Sequence, residues 1–223
     1  MGILQSSIFN RTQSQGAVVS AATYNLVIGM VLCWGFIMNW VIVRNVDPAW
    51  VARINPWIFF ISYFVSCIIG AILFNSSSEP AISFIGYNLV VIPFGFVLNV
   101  IIGQYEPDLV AQAIQITAAV TLIMMILGIL FPAFFKSIAG ALFIALLSVI
   151  VIEGVQIFFF HIHSDWLDWA VVLIFCGYIG FDWGRANQIP KTIDNAVDSA
   201  AAIYMDIINL FVRILRILGR RRR

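Results

Sequence analysis

The stretch AIYMDIINLF, residues 202–211, places an aspartate, Asp206, in the middle of a run of apolar side chains. The whole chain has the same apolar character, since 62% of its 223 residues are hydrophobic and only 10% are charged. Its mean hydropathy is +1.00. A soluble protein of this length needs more charged residues to cover its surface. The composition therefore indicates an integral membrane protein, and Asp206 lies where a charge is costly.

Seven apolar segments are long enough to cross a bilayer as helices, because a hydrocarbon core of about 30 Å takes roughly 20 residues. They are 24–43, 56–74, 82–103, 109–131, 138–160, 167–181 and 197–218. Their apolar residues do not alternate, which disfavours a transmembrane β-barrel. The sequence thus predicts an all-α domain of seven transmembrane helices over residues 24–219, between a polar N-terminal tail (1–23) and a basic C-terminal tail (220–223). We interpret His161 and His163 as interfacial residues at a helix end.

Asp206 falls about ten residues into the seventh segment, or roughly 15 Å along a helix that rises 1.5 Å per residue. Polar residues recur around it at helical spacings and so share one face: Ser199, Asp206, Asn209, Arg213, Arg216 and Arg220. That face is expected to point into the protein, as the centre of a bundle or the wall of a cavity. For Arg213 and Arg216, the simpler interpretation is that they reach lipid head groups near the helix end.

Glu153 and Asp168 also fall within or beside the apolar segments, where a charge costs about 2.5–3.5 kcal/mol on insertion scales. Asp168 lies in SDWLDW, residues 164–169, and its flanking tryptophans are typical of the membrane interface. Glu153 lies deeper, in the fifth segment. Two interpretations of Glu153 remain open: a protonated carboxyl bonded to a neighbouring helix, or a group that lines a polar path.

Asp182 closes the predicted sixth segment, and the connection to the seventh (182–196) is short, so the two segments are antiparallel neighbours. Asp194 or Asn195 is expected to cap the seventh helix. Asp182 can then approach Asp206, and two carboxyls in a low-dielectric site tend to share one proton. Such a pair is sensitive to pH. Once deprotonated, it also offers hard oxygen ligands of the kind that Ca²⁺ prefers.

The C-terminal part of the chain resembles the Bax-inhibitor-motif transmembrane family. The residues that carry the resemblance are GYIGFDWGRANQIPKTIDNAVDSAAAIYMDIINLFVRILRILG, 177–219, and the part from Tyr204 onward follows the family's last helix almost position by position. The resemblance implies six helices around a central seventh. It also implies a pH-sensitive Ca²⁺ leak gated by an aspartate pair, at the positions of Asp182 and Asp206, with Ca²⁺ as the transported ion and no cofactor.

One departure from the family affects the expected gating. Similar bacterial members carry an arginine between the second and third helices that pairs with the aspartates, whereas the matching stretch here, FNSSSEPAIS (74–83), has no basic residue. Either another cation substitutes, with Arg185 and Arg213 nearest in sequence, or this member is gated differently.

Three functions compete at this stage. The first is the passive Ca²⁺ pathway, with a proton-coupled antiporter as a variant. The second is a membrane regulator that binds other membrane proteins and transports nothing. The third is an intramembrane aspartyl protease, which also uses two aspartates. The chain lacks the GxGD and PAL signatures of such proteases, so we expect it not to be an enzyme.

The sequence predicts a multi-pass protein of a bacterial cell membrane, with the lipid bilayer, Ca²⁺ and protons as partners. Six of the twelve basic residues fall in the last eleven positions, which suggests a cytoplasmic C-terminus. The family resemblance implies a cytoplasmic N-terminus instead, and with seven spans the two cues conflict. The basic tail is suited to anionic lipid head groups and not to nucleic acid.

Overall fold

The computed structural model describes residues 17–160 and 164–221, and the protein is helical through most of these ranges. In chain order the helices are α1 (Ala21–Asn45), α2 (Pro48–Ala52), α3 (Pro56–Ser76), α4 (Pro80–Ile102), α5 (Pro107–Leu130), α6 (Pro132–Val155), α7 (Asp165–Gln188) and α8 (Ile193–Arg221). A π-helical turn, Gln156–Phe160, extends α6. His161, His163 and most of the two predicted tails lie outside the described residues.

Proline marks the start of five helices, α2 to α6, at their first positions. The missing N–H of proline costs nothing there, and its fixed φ suits the first turn. Side chains also cap three helices, because Ser20, Asp47 and Asn55 accept hydrogen bonds from the backbone N–H groups of α1, α2 and α3. The apolar runs are therefore separated by residues that begin new helices.

In the part of the chain that the structure describes, six helices are long and apolar enough to cross a membrane: α1, α3, α4, α5, α6 and α7. Their exposed side chains are largely hydrophobic, as on a surface that faces lipid. In α6, for example, Phe135 and Val149 are the buried residues, whereas Phe143 is 63% exposed. The seventh predicted segment also forms a helix, α8. It carries too many acids and arginines to be counted with these six apolar helices.

The last two predicted segments prove too short. The sixth was predicted to end at 181, yet α7 continues to Gln188, so Asp182 lies inside the helix and does not close it. The connection to α8 is residues 189–192 and not 182–196. The expected cap at Asp194 or Asn195 is also wrong, because the Thr192 hydroxyl accepts the hydrogen bond from the Asn195 N–H at 3.2 Å.

The chain divides into two compact units. The first takes in the chain up to Gln104 together with Gln188–Ala201, and in it α4 packs against α1, α2 and α3. A Cβ added at Gly70 of α3 would lie 2.6 Å from the Gly86 carbonyl oxygen of α4, so only glycine permits this close approach. The Ser83 hydroxyl of α4 donates to the buried carboxylate of Asp194 at 2.7 Å.

The second unit takes in Tyr105–Asn187 together with the chain from Ala202 onward. In it α5 and α7 approach backbone to backbone, because a Cβ at Gly128 would collide with the backbone of Gly180 and one at Gly184 would lie 2.8 Å from the Gly128 carbonyl oxygen. Gly180 and Gly184 flank Asp182. This contact therefore fixes the backbone that carries one of the two predicted site residues.

Candidate functional site

Asp182 of α7 and Asp206 of α8 form a carboxyl pair inside the second unit. The Asp206 carboxyl lies close to that of Asp182, and Asp206 is 6% exposed. The second carboxylate oxygen of Asp206, Oδ2, makes no hydrogen bond with the part of the chain that the structure describes. Tyr178, one turn before Asp182, lies near both carboxyls. The carboxyl pair thus joins two helices that residues 189–192 connect.

The chemistry of this carboxyl pair follows from its surroundings. Two carboxyls this close favour a proton on one of them, because the low dielectric makes a second charge expensive. Each carboxylate is also a hard oxygen ligand, although Ca²⁺ takes six to eight oxygens. No group of three or more His, Cys, Asp or Glu side chains that could hold a metal ion occurs in residues 17–160 and 164–221. The pair on its own could bind a cation only as part of a larger oxygen shell.

Arg213 of α8 joins the acids of two other helices. Its two terminal nitrogens bond both oxygens of Glu153 of α6, at 2.5 and 2.6 Å, and Nη1 also bonds Asp168 Oδ1 of α7 at 2.8 Å. The Asp168 side chain is 2% exposed and that of Arg213 is 16% exposed. A bidentate arginine–carboxylate contact at this burial is among the strong polar interactions of proteins.

Two further arginines of α8 extend these contacts. Arg216 lies 3.2 Å from Glu153 and 3.3 Å from Asp168, while Arg220 lies 2.9 Å from Asp168 Oδ2 and also pairs with Asp165. The Asp165 side chain is 82% exposed. We refer to this set as the arginine cluster: Glu153, Asp165, Asp168, Arg213, Arg216 and Arg220. Its three acids and three arginines balance in charge, and it connects α6, α7 and α8.

The arginine cluster changes the interpretation of several residues. Asp168, near the start of α7, is buried and ion-paired, and its place at the membrane interface stays a prediction. Arg213 and Arg216 do not simply reach for head groups, since both bind the carboxylates of Glu153 and Asp168. Glu153 bonds to a neighbouring helix, as one of its two interpretations had it, but the bond is an ion pair with an arginine and not that of a protonated carboxyl. The recurrence of Arg213 and Arg220 on the face of Asp206 was the signal in the sequence that pointed to these contacts.

The remaining residues of the predicted polar face have local partners. Asn209 donates from its side-chain amide to the Met205 carbonyl one turn earlier, at 2.7 Å, and is half-buried. Ser199, in the first unit, is hydrogen-bonded to the Tyr24 hydroxyl at 3.1 Å. Of the two arginines that could have substituted for the missing one, Arg213 is engaged by Glu153 and Asp168. Within the described residues Arg185 forms no ion pair.

The helices and their internal ionisable groups define the class of this protein, a multi-pass helical membrane protein with paired acids in its interior. The family model described as "Inhibitor of apoptosis-promoting Bax1" matches residues 17–223. The chain therefore belongs to the Bax inhibitor-1 family, as the resemblance of its last helix indicated.

Three curated relatives illustrate the family. Bax inhibitor 1 of Schizosaccharomyces pombe is 29% identical over 176 residues, which are 76% of this chain and 64% of that protein. An uncharacterized membrane protein of Streptococcus pyogenes is 34% identical over 136 residues, 56% of this chain and 58% of that protein. The inner membrane protein YbhL of Escherichia coli is 28% identical over 141 residues, with 57% and 59% covered. The matched part of the chain thus spans about three-fifths of the length of these relatives.

Proposed function

We propose that the protein is a pH-sensitive Ca²⁺ leak channel or transporter, gated by the carboxyl pair of Asp182 and Asp206. The observation that carries this proposal is the close approach of the two carboxyls at a buried position inside the second unit. A pair of carboxyls in contact stabilises a protein only while it holds a proton. A site whose stability depends on one proton is suited to switching with pH.

In this proposal α8 is the seventh transmembrane helix and lies at the centre of the other six. Its 29 residues would span roughly 43 Å at 1.5 Å per residue, more than a hydrocarbon core of about 30 Å requires. None of its described side chains, residues 193–220, is exposed. Lipid would meet such a helix at few positions, which supports a central place for it.

Loss of the shared proton would drive opening. Two unit charges about 3 Å apart repel by roughly 5 kcal/mol at an effective dielectric constant of 20. That repulsion favours separation of α7 from α8 at the level of Asp182 and Asp206. The separated carboxylates then present oxygens to Ca²⁺. Since deprotonation opens the path, Ca²⁺ flux should rise with pH.

Reconstitution into liposomes tests the gate. Purified protein is expected to release entrapped Ca²⁺ faster as pH rises between about 5 and 8, the range that proteins use for pH switching. D206N removes the shared proton and is expected to abolish this pH dependence, and D182N should do the same. The matched control is D108N, which neutralises an exposed acid in the first turn of α5. A D206N protein with the wild-type flux at every pH would refute the assignment.

Four further proposals accompany this function. If Ca²⁺ movement requires a counterflow of protons, the protein is an antiporter, which a pH dye inside the same liposomes would detect. We also propose that it is not an enzyme, uses no cofactor and resides in a bacterial cell membrane. The bacterial setting rests on its similarity to membrane proteins of Streptococcus pyogenes and Escherichia coli.

A regulator that binds other membrane proteins is the second candidate. The name of the yeast relative, Bax inhibitor 1, favours it. Folded wild-type protein that gives no Ca²⁺ flux at any pH in the liposome assay would support this candidate over the leak.

A further inference from the structure

The carboxyl pair and the Asp168–Arg220 contact of the arginine cluster lie on the same faces of the same two helices, α7 and α8. Asp168 precedes Asp182 by 14 residues on α7, and Arg220 follows Asp206 by 14 residues on α8. Fourteen residues make nearly four turns, or about 21 Å, so each helix presents its two site residues on one side. The contacts of Asp182 with Asp206 and of Asp168 with Arg220 therefore belong to a single antiparallel register.

The two contacts at this register have opposite electrostatic character. Asp168 and Arg220 attract, and Arg213 and Glu153 strengthen that end by joining α8 to α6 as well. Asp182 and Asp206 attract only while they share a proton, and they repel without it. Nothing in the pairing of two acids selects a register by itself. The arginine cluster does so, because its charges match at one alignment of the helices.

We propose that Arg213 and the arginine cluster position the carboxyl pair: they fix the register of α7 and α8 and so force Asp182 and Asp206 to share a proton. The inference rests on the proposed function only for its effect on flux, because the shared proton can be observed without any transport. Arg213 is in this sense a positioning residue. It acts through Asp206, which it does not touch.

Loosening the cluster should let the carboxyls separate and titrate independently. The groups around the pair within the second unit are few. Tyr178 and Arg185 lie one turn to either side of Asp182 on α7, and the arginine cluster lies farther along α7 and α8, with Glu153 contributed by α6. Of these groups, only the cluster holds the two helices together by ion pairs within residues 105–160, 164–187 and 202–221. Its removal is therefore expected to end proton sharing.

The test uses the full chain with E153Q and R213Q combined, which removes the bidentate pair and leaves the net charge unchanged. Infrared difference spectra identify the shared proton as the carboxyl C=O band that disappears in D206N. We expect that band to be largely lost at neutral pH in the double variant. The midpoint of Ca²⁺ flux should move to lower pH by about one unit or more, the size of coupling that separates interacting from independent carboxyls.

Two comparisons make the result decisive. R213K keeps the charge but loses the two-pronged contact, so it should lie between wild type and the double variant. R53Q combined with E79Q, two exposed residues outside the cluster, should match wild type. A double variant that keeps both the wild-type band and the wild-type midpoint overturns the proposal. If it does not fold, D168N combined with R220Q is measured by the same criterion.

The infrared band also separates this inference from the proposed function. Loss of the band in the double variant, with no Ca²⁺ flux in wild type, would leave the positioning role standing and remove the leak. Ca²⁺ flux in the wild-type protein, together with an unchanged band in the double variant, would leave the leak standing and remove the positioning role.

Discussion

Replacement of Arg213 by glutamine should be among the most destabilising single changes in the second unit. The side chain binds Glu153 at 2.5 Å and Asp168 at 2.8 Å, and it is 16% exposed. At an effective dielectric constant of 20, each of these contacts is a Coulomb attraction of about 6 kcal/mol before desolvation is subtracted. R213Q leaves two carboxylates to share the remaining arginines, and the cluster changes from neutral to a net charge of −1.

The expected loss of stability is about 3–5 kcal/mol, the usual cost when one partner of a buried ion pair is removed. E153Q should cost a similar amount for the opposite reason, because it leaves an excess of positive charge. The combined variant restores neutrality, so the two losses should fail to add by about 2 kcal/mol or more. Unfolding of detergent-solubilised protein with increasing SDS, followed by tryptophan fluorescence, measures all three variants.

The control cycle combines R53Q with E79Q, both exposed, and its effects should be additive and within about 0.5 kcal/mol of wild type. If R213Q lowers the free energy of unfolding by less than about 1 kcal/mol, the ion pairs are worth no more than exposed ones. The same holds if the losses of R213Q and E153Q simply add. Either result would contradict the argument that the cluster is a buried and mutually dependent unit.

A close contact between two helices and a buried hydrogen bond give further predictions. G128A places a methyl group against the Gly180 backbone of α7 and should destabilise by about 1–3 kcal/mol in the same assay. G140A, where nothing lies within 4 Å of the added Cβ, should be neutral or slightly stabilising, and equal effects of the two would contradict the close approach. S83A removes the hydrogen bond to the buried Asp194 carboxylate and should cost about 1–3 kcal/mol. S148A, which removes a hydroxyl bonded within its own helix, should cost little, and similar losses for both serines would argue against a special role for Ser83.

The helices themselves were largely predictable, because the bilayer imposes long apolar runs and proline marks where several of them begin. The end of α7 was not. The run DWGRANQ, residues 182–188, is polar enough to resemble a loop, yet it continues the helix. One of its polar side chains bonds locally, because the Asn187 amide donates to the Trp183 carbonyl at 2.8 Å. Composition does not distinguish a loop from a helix whose polar side chains bond to their own backbone.

The candidate site was predictable only in part, for a related reason. The carboxyl pair joins two helices that are neighbours in sequence, so local information indicates that such a pair could form. The arginine cluster joins residues that are 45–63 positions apart in sequence, so no local pattern contains it. The tryptophans beside Asp168 even pointed to the interface, and both Trp166 and Trp169 are indeed exposed. The aspartate lies on another side of the same helix, so the exposure of its neighbours does not extend to it.

The arginine cluster also changes how the C-terminal basic residues bear on orientation. The positive-inside rule concerns arginines and lysines in the loops and at helix ends, where they meet the charged surface of the membrane. Arg213, Arg216 and Arg220 are each bound to acids of α6 or α7. Half of the six basic residues near the C-terminus thus have a structural role inside the second unit. Their number is therefore poor evidence for a cytoplasmic C-terminus, and the conflict with a cytoplasmic N-terminus, which the family resemblance implies, is correspondingly weak.

The presence of Asp206 in an apolar run can be understood from the free energies of two contacts between α7 and α8. These are the carboxyl pair and the ion pairs of Asp168. A lone carboxylate at that depth would be unfavourable, and a lone pair of carboxyls would separate whenever it lost its proton. The attraction of Asp168 for Arg213 and Arg220 is available at one register only, and that register brings Asp182 against Asp206. The stability of the ion pairs can therefore offset the cost of holding two acids together. A chain with this arrangement keeps two acids in contact in its interior without losing its fold.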